Sequence, residues 1–239
     1  MDPEFQAIRY HLDGKVARLT LHRPEKRNAL SVGMREEILG VLEAAASEKG
    51  VGLLLITGSD PAFCAGFDLD DFKSSDRAFK QRLFETSAAY HRRLWEFPKP
   101  VLAAVNGQAF GGGFDLATLC DIRIASDRAL FAHPEIKFGA PPLFTPLRWI
   151  VGEGHARDLC FTGRRIDARE AHRIGLVSEV VEHDRLLRRA LEVAKTILEA
   201  PGPTLQATKG YMARAGGRGF EESFREEHDE VFRKFLGVK

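Results

Sequence analysis

Apolar and polar residues alternate over residues 8–12 and again over 16–21, with the turn pair Asp13-Gly14 between them, so the chain predicts an opening β-hairpin. Ser31 is placed to cap a helix running to about residue 46, with Glu36 and Glu37 in its early turns. Residues 53–57 (Leu-Leu-Leu-Ile-Thr) are a continuous apolar run, as in a strand covered on both faces. Apolar positions at Phe79, Leu83, Phe84, Ala88 and Leu94 give residues 74–95 helical spacing, and Pro98 and Pro100 stop that helix. Residues 101–105 form another strand and lead into a helix through Leu116, Ala117, Leu119 and Cys120. Short strands follow at 122–125, 130–132 and 136–138, then helices at 143–151 and 155–161, and a short helix and strand within 166–181. From Leu186 the pattern is helical, over 186–198, 205–213 and 220–235, with a break at Pro201-Gly202-Pro203. Short strands mixed with helices predict an α/β fold of stacked ββα units, although no clean internal repeat is visible. The last third reads as a helical appendage packed on the main domain or on another subunit.

Three consecutive glycines stand at a strand-to-helix junction in Gly107-Gln108-Ala109-Phe110-Gly111-Gly112-Gly113-Phe114-Asp115. The first amides of a helix have no intrahelical partner and can donate to an anion, and Asp115 falls in the first turn. An anion site beside a carboxylate suits chemistry with a developing oxyanion and a moving proton. A glycine-lined packing turn, with Asp115 favoured there by the helix dipole, explains the same residues. A second glycine-containing junction, Phe63-Cys64-Ala65-Gly66-Phe67-Asp68-Leu69, follows the strand at 53–57. Arg23, Lys26 and Arg27 lie in a basic loop that by itself reads as ordinary solvated surface, and so does Glu135, which follows Pro134.

Composition narrows the classes. The 239 residues carry 35 basic and 34 acidic side chains, a net +1, so bulk charge points to neither a nucleic acid nor a membrane surface. At 44% apolar the chain can bury a full core. Three widely spaced cysteines, with no CxxC and no histidine cluster at ligand spacing, predict a reduced, cytoplasmic setting and no metal. No stretch approaches a membrane span, and the start of the chain lacks the pattern of a secretory leader. Residues 1–5, Met-Asp-Pro-Glu-Phe, read as a cloning remnant.

Four segments together resemble the crotonase (enoyl-CoA hydratase/isomerase) superfamily. They are Leu21-His22-Arg23-Pro24-Glu25-Lys26-Arg27-Asn28-Ala29-Leu30, the Phe63–Leu69 junction, Gly107 to Asp115 with Cys120-Asp121-Ile122-Arg123-Ile124-Ala125, and Phe161-Thr162-Gly163-Arg164 with Ala171 and Gly175-Leu176-Val177. The resemblance implies a spiral core of ββα turns over residues 6–185 and a helical region over 186–239 that builds trimers or dimers of trimers. It implies an acyl-CoA thioester as ligand, no separate cofactor, and an oxyanion hole formed by the backbone amides of Phe67 and Gly112. Lys26, Arg27 and Ala29, with Ala65, Asp68 and Leu69, would flank the CoA. The proton-handling pair of the hydratases maps onto Asp115 and Glu135.

Asp115 stands where hydratases have glutamate, and it is about 1.5 Å shorter in reach. That resembles the dienoyl-CoA isomerases, which carry a further aspartate in the loop after the glutamate; Gly139-Ala140-Pro141-Pro142-Leu143-Phe144 has none. The prolines, with Phe144 and Trp149, replace a glycine-rich turn and should reshape the acyl pocket, and Phe67, Phe110 and Phe114 could narrow it. The expected activity is hydration of a 2-enoyl-CoA. Double-bond isomerisation is the alternative, and acyl-CoA binding without catalysis is the alternative from another class.

Overall fold

The computed structural model describes residues 5–212, 220–225, 228–229 and 233–237. Its strands are β1 (Ile8–Asp13), β2 (Val16–Leu21), β3 (Leu53–Gly58), β4 (Ala62–Cys64), β5 (Val101–Val105), β6 (Gln108–Phe110), β7 (Ile122–Ser126), β8 (Leu130–Ala132), β9 (Ile166–Asp167) and β10 (Glu179–Val181). The longer helices are α1 (Val32–Ser47), α2 (Arg77–Trp95), α3 (Gly112–Thr118), α4 (Phe144–Thr162), α5 (Ala168–Arg173), α6 (Leu186–Ile197) and α7 (Gly202–Met212). Two short ones follow, α8 (Phe220–Phe224) and α9 (Arg233–Leu236).

Six strands form one sheet in the order β1-β2-β3-β5-β7-β10, parallel except for the β1–β2 hairpin. A second sheet has the order β4-β6-β8-β9, in which β4, β6 and β8 are parallel. The chain places β3, β5 and β7 in the first sheet, the strand after each in the second, and then a helix, α2, α3 or α4. These are the stacked ββα units that the strand spacing predicts.

Burial explains the unbroken apolar run at 53–57. Leu54 and Ile56 face the main core with Leu19, Phe63 and Ala103, while Leu53 and Leu55 face Leu186, Ala190 and Ala194 of α6 across a second core. With both faces covered, period-two alternation is lost. Each fully buried Leu or Ile here stabilises the fold by roughly 1.5–3 kcal/mol.

Caps set the helix starts. Ser31 Oγ accepts from Met34 N at 3.2 Å, and Asp76 Oδ1 accepts from Ala78 N at 3.0 Å. α2 therefore begins at Arg77, later than apolar spacing suggests. The strand expected at 136–138 is instead a 3₁₀ turn over Pro134–Phe138, because Pro134 has no amide for a ladder and Gly139 closes the turn at φ 84°. The helices expected at 143–151 and 155–161 form one element kinked at Gly152. α7 starts at Gly202, with Pro203 tolerated in its first turn. Residue 213, residues 226–227 and 230–232 of the expected last helix, and residues 1–4 of the expected remnant lie outside the described residues.

Candidate active site

Three loops that follow adjacent parallel strands converge at one end of the second sheet. β4 leads into Ala65-Gly66-Phe67, β6 into Gly111-Gly112, and β8 into His133-Pro134-Glu135. The loop ends are stitched together, since Gly111 N donates to Ala132 O at 3.0 Å. The carboxyl ends of parallel strands are where open α/β sheets place ligands. A cavity of about 440 Å³ opens there, lined by all three loops, by Asp115 of α3 and by Pro141, Pro142 and Leu143.

The two glycine junctions lie side by side. A Cβ built on Gly66 would stand 2.8 Å from the Phe110 carbonyl oxygen and 3.5 Å from the Gly112 amide nitrogen. Gly112 opens α3, so its amide has no carbonyl within the helix to bond. Phe67 bridges Leu30 in parallel register: Leu30 N donates to Gly66 O at 2.8 Å and Asp68 N donates to Leu30 O at 3.2 Å. Those bonds use the peptide groups on either side of Phe67, which turns the Phe67 amide away from Leu30. Close approach fixes the α3 start, because a Cβ on Gly113 would sit 2.3 Å from the Cys64 carbonyl oxygen.

Arg35 of α1 braces this arrangement from behind. It is fully buried, donating from Nη1 to Leu30 O at 2.8 Å and from Nε to Thr86 Oγ1 of α2 at 3.2 Å. Its guanidinium lies 4.9 Å from the centre of the Phe67 ring. Burial pulls its pKa down, partly offset by the negative charge of Asp71, 4.0 Å away.

Asp115 is buried at the helix start, and Glu135 lines the cavity from the turn after β8. Between them stands His133, fully buried, its ring stacked on Phe114 at 4.6 Å. His133 Nδ1 lies 2.8 Å from Glu135 Oε1 and 3.9 Å from Asp115 Oδ1. Burial lowers the imidazole pKa, but the bond to Glu135 and the charges of Glu135 and Asp115 outweigh it and leave the pKa raised. Gly111, at φ 49°, lets the backbone pass against the other carboxylate oxygen: a Cβ there would be 3.1 Å from Glu135 Oε2.

The remaining residues expected at the site fall in two groups. Ala65 and Leu69 line the cavity, with Leu69 and Phe138 strongly exposed at its edge. Lys26, Arg27 and Ala29 stand on the neighbouring loop, where Lys26 Nζ pairs with Asp70 at 2.7 Å and Arg27 O accepts from Ala65 N at 3.0 Å. Asp68 does not line the cavity; its carboxylate pairs with Arg23 at 2.8 Å. Of Phe67, Phe110 and Phe114, expected to narrow the pocket, only Phe67 lines it, and Phe144 and Trp149, expected to reshape it, do not line it. Phe114 packs in the core, and Trp149 meets Trp95 at 5.4 Å.

Apolar spacing gave no notice of Phe72, His91 and His228, which line the cavity. Burial holds the His91 pKa well below its usual value, and burial likewise lowers that of His228, so both rings face the cavity neutral near pH 7. Asn28 was missed too: buried at φ 57°, it donates from Nδ2 to Ser59 O and Ala62 O, both at 2.7 Å, and ties the basic loop to β4. The one available signal for His133 was its spacing two residues before Glu135.

Residues 12–237 match the family model described as enoyl-CoA hydratase/isomerase. The chain is 40% identical over 206 residues to a short-chain-enoyl-CoA hydratase of Clostridium acetobutylicum, covering 84% of this chain and 79% of the relative. It is 37% identical over 198 residues to a 2,3-dehydroadipyl-CoA hydratase of Escherichia coli, covering 82% and 77%. In structure it superposes on an enoyl-CoA hydratase/isomerase from Xanthobacter autotrophicus Py2 with a TM-score of 0.87 at 33% identity, covering 98% of this chain and 88% of that one.

Proposed function

The chain belongs to the enoyl-CoA hydratase/isomerase family, and on that premise we propose that it is an enoyl-CoA hydratase-like lyase that adds water to a 2-enoyl-CoA. The observation that carries this reading is the convergence, on one cavity, of two strand-end backbone amides and two carboxylates. The thioester oxygen would sit between the Phe67 and Gly112 amides. Such donors are pre-aimed where enolate charge develops, and losing one costs about 3 kcal/mol of transition-state stabilisation. Glu135 is the principal acid and base and Asp115 positions the water. A proton passes from Glu135 to C2, the water oxygen bonds to C3, and the proton that water loses returns to the carboxylate pair, so the atoms balance.

The CoA portion would lie along Ala65 and Leu69 toward the loop of Lys26, Arg27 and Ala29, with Asp68 holding that loop through Arg23. Asp115 and Glu135 are the charged side chains lining the cavity among the described residues, and His91 and His228 present neutral rings. Among the described residues no cation lines the cavity, and its apolar lining of Phe67, Phe72, Pro141, Pro142 and Leu143 supports an uncharged acyl chain. The helices from α6 onward are proposed to supply trimer or dimer-of-trimers contacts, which light scattering reads directly. Among the described residues no helix is long and apolar enough to cross a membrane, and three buried free cysteines suit a cytoplasmic setting.

Loss of enoyl absorbance from crotonyl-CoA and a longer 2-enoyl-CoA on addition of purified protein tests the reaction; unchanged absorbance at high enzyme concentration sinks it. Glu135→Gln should lower kcat by about 10²–10⁴-fold, and Asp115→Asn by less. The shorter Asp115 favours one second reading, isomerisation by a proton shuttle, for which solvent deuterium would enter the acyl chain without net hydration.

A further inference from the structure

Neither the sequence motifs nor the relatives' names give a role to His133, yet its Nδ1 lies 2.8 and 3.9 Å from the two carboxylates of the site. It leaves β8 at Ala132, is fully buried, and is clamped flat on the Phe114 ring. Its Nδ1 is 2.8 Å from Glu135 Oε1, a bond in which the ring N–H donates, while Glu135 Oε2 lies beside Gly111 with no hydrogen-bond partner among the described residues. One oxygen of Glu135 is thus fixed and the other is kept at the cavity glycines.

We propose that His133 is a positioning residue that stores the exchangeable proton of the site: its imidazole holds Glu135 Oε1 and keeps Oε2 beside Gly111. This rests on the hydration reading. Hydration can draw on such a store: C2 receives a proton from the site as the water oxygen bonds to C3, and the proton that water gives up refills the site at the end of the cycle. No further reactant is required.

Other titratable neighbours do not compete for that proton. From β4, Cys64 has its pKa pushed up to about 12 by burial, with Asp115 adding to the rise. From α2, Tyr90 is raised well above its usual value by burial and by Asp115, despite the opposing charge of Arg35, and stays neutral. His91 and His228 are held neutral by burial. None of these groups therefore gives or takes the His133 proton near pH 7. The raised imidazole pKa agrees with a ring facing two carboxylates.

Two measurements decide the matter. In nitrogen-15 spectra of the whole protein, with the His133 ring assigned by its loss in His133→Gln, the ring should titrate above 6.5 in wild type. In Glu135→Gln it should titrate at least about one unit lower. A His133 titration indifferent to Glu135→Gln, or a ring neutral throughout the neutral range, overturns the proposal. In the pH profile of kcat/KM for enoyl-CoA hydration, the limb where activity falls with rising pH should move at least about one unit toward acid in His133→Gln. There kcat should drop roughly tenfold or more at mildly alkaline pH, with KM changed less than about twofold. An unshifted limb also overturns the proposal. If wild type hydrates no enoyl-CoA, the hydration reading falls, and the titration still decides whether His133 and Glu135 share a proton. If His133→Gln does not fold, comparison of wild type with Glu135→Gln decides alone.

Discussion

Gly111 shows how much of the site depends on one backbone position. At φ 49° it adopts a conformation that side chains rarely take, and a Cβ would meet Glu135 Oε2 at 3.1 Å. Gly111→Ala should therefore strain the turn and push Glu135 off its aim, lowering kcat/KM by roughly a hundredfold, the scale of a 1 Å misplacement. Steady-state kinetics on a 2-enoyl-CoA beside a Tm measurement checks it; unchanged kinetics would show that Glu135 Oε2 can move freely. Some of these residues were legible in the chain, because glycines at a strand-to-helix junction and an aspartate in a first turn are local signals. The burial of His133 was not. Its sequence context, His133-Pro134-Glu135, describes a surface turn as well as it describes a site, and only the packing of Phe114 over the ring decides between them.

At the scale of elements, Arg35 joins three pieces of the fold: α1, the Leu30 bridge that orients Phe67, and α2 through Thr86. It does so at the expense of a buried guanidinium whose nearest carboxylate is 4.0 Å away. Removing one partner of a buried charged contact strongly destabilises, because it leaves the other groups, here Asp71 and Leu30 O, without that donor. Arg35→Met should accordingly destabilise the fold by about 3–5 kcal/mol in urea while lowering kcat roughly tenfold by loosening the Phe67 loop. A large stability loss with kcat intact would assign Arg35 to the core alone. Helix α1 itself was readable from Ser31, whereas its inward arginine was not, since one arginine on a helix gives no sign of which face will be covered.

Across the whole molecule, burial sets the protonation of groups far from the chemistry. Cys64 and Cys120 are buried with pKa values pushed up to about 12, so in the native protein at mildly alkaline pH neither should react with a thiol reagent, and both should react after unfolding in urea. Rapid native labelling at either would contradict this burial. The histidines give stability a pH dependence with a definite sign. His91, held well below its unfolded value of 6.5 by burial first and the His228 ring next, stays neutral when folded, so below about 6.5 only the unfolded chain takes up its proton and stability falls. His133, raised, acts oppositely: its contribution is full below 6.5 and is lost as pH rises through its folded value. From mildly alkaline to mildly acidic pH, wild type should lose more Tm than His91→Gln does; an equal change in both would place the acid sensitivity elsewhere.

By itself the sequence determined the opening hairpin, the helix starts at Ser31 and after Gly111, the doubly covered strand at 53–57, and the ββα order, because alternation, caps and glycine junctions act within a few residues. It misread 136–138 as a strand, since the apolar-polar-apolar triplet Ile136-Lys137-Phe138 looks alike in a strand and in a turn held by Pro134 and Gly139. Only the tertiary structure decided that β4, β6 and β8 lie side by side, so that loops distant in sequence share one cavity. Only it brought His91 of α2 and His228 to that cavity and set His133 between Asp115 and Glu135. The physical reason is that strand neighbours and buried charge partners are fixed by contacts between remote segments, which no local pattern encodes.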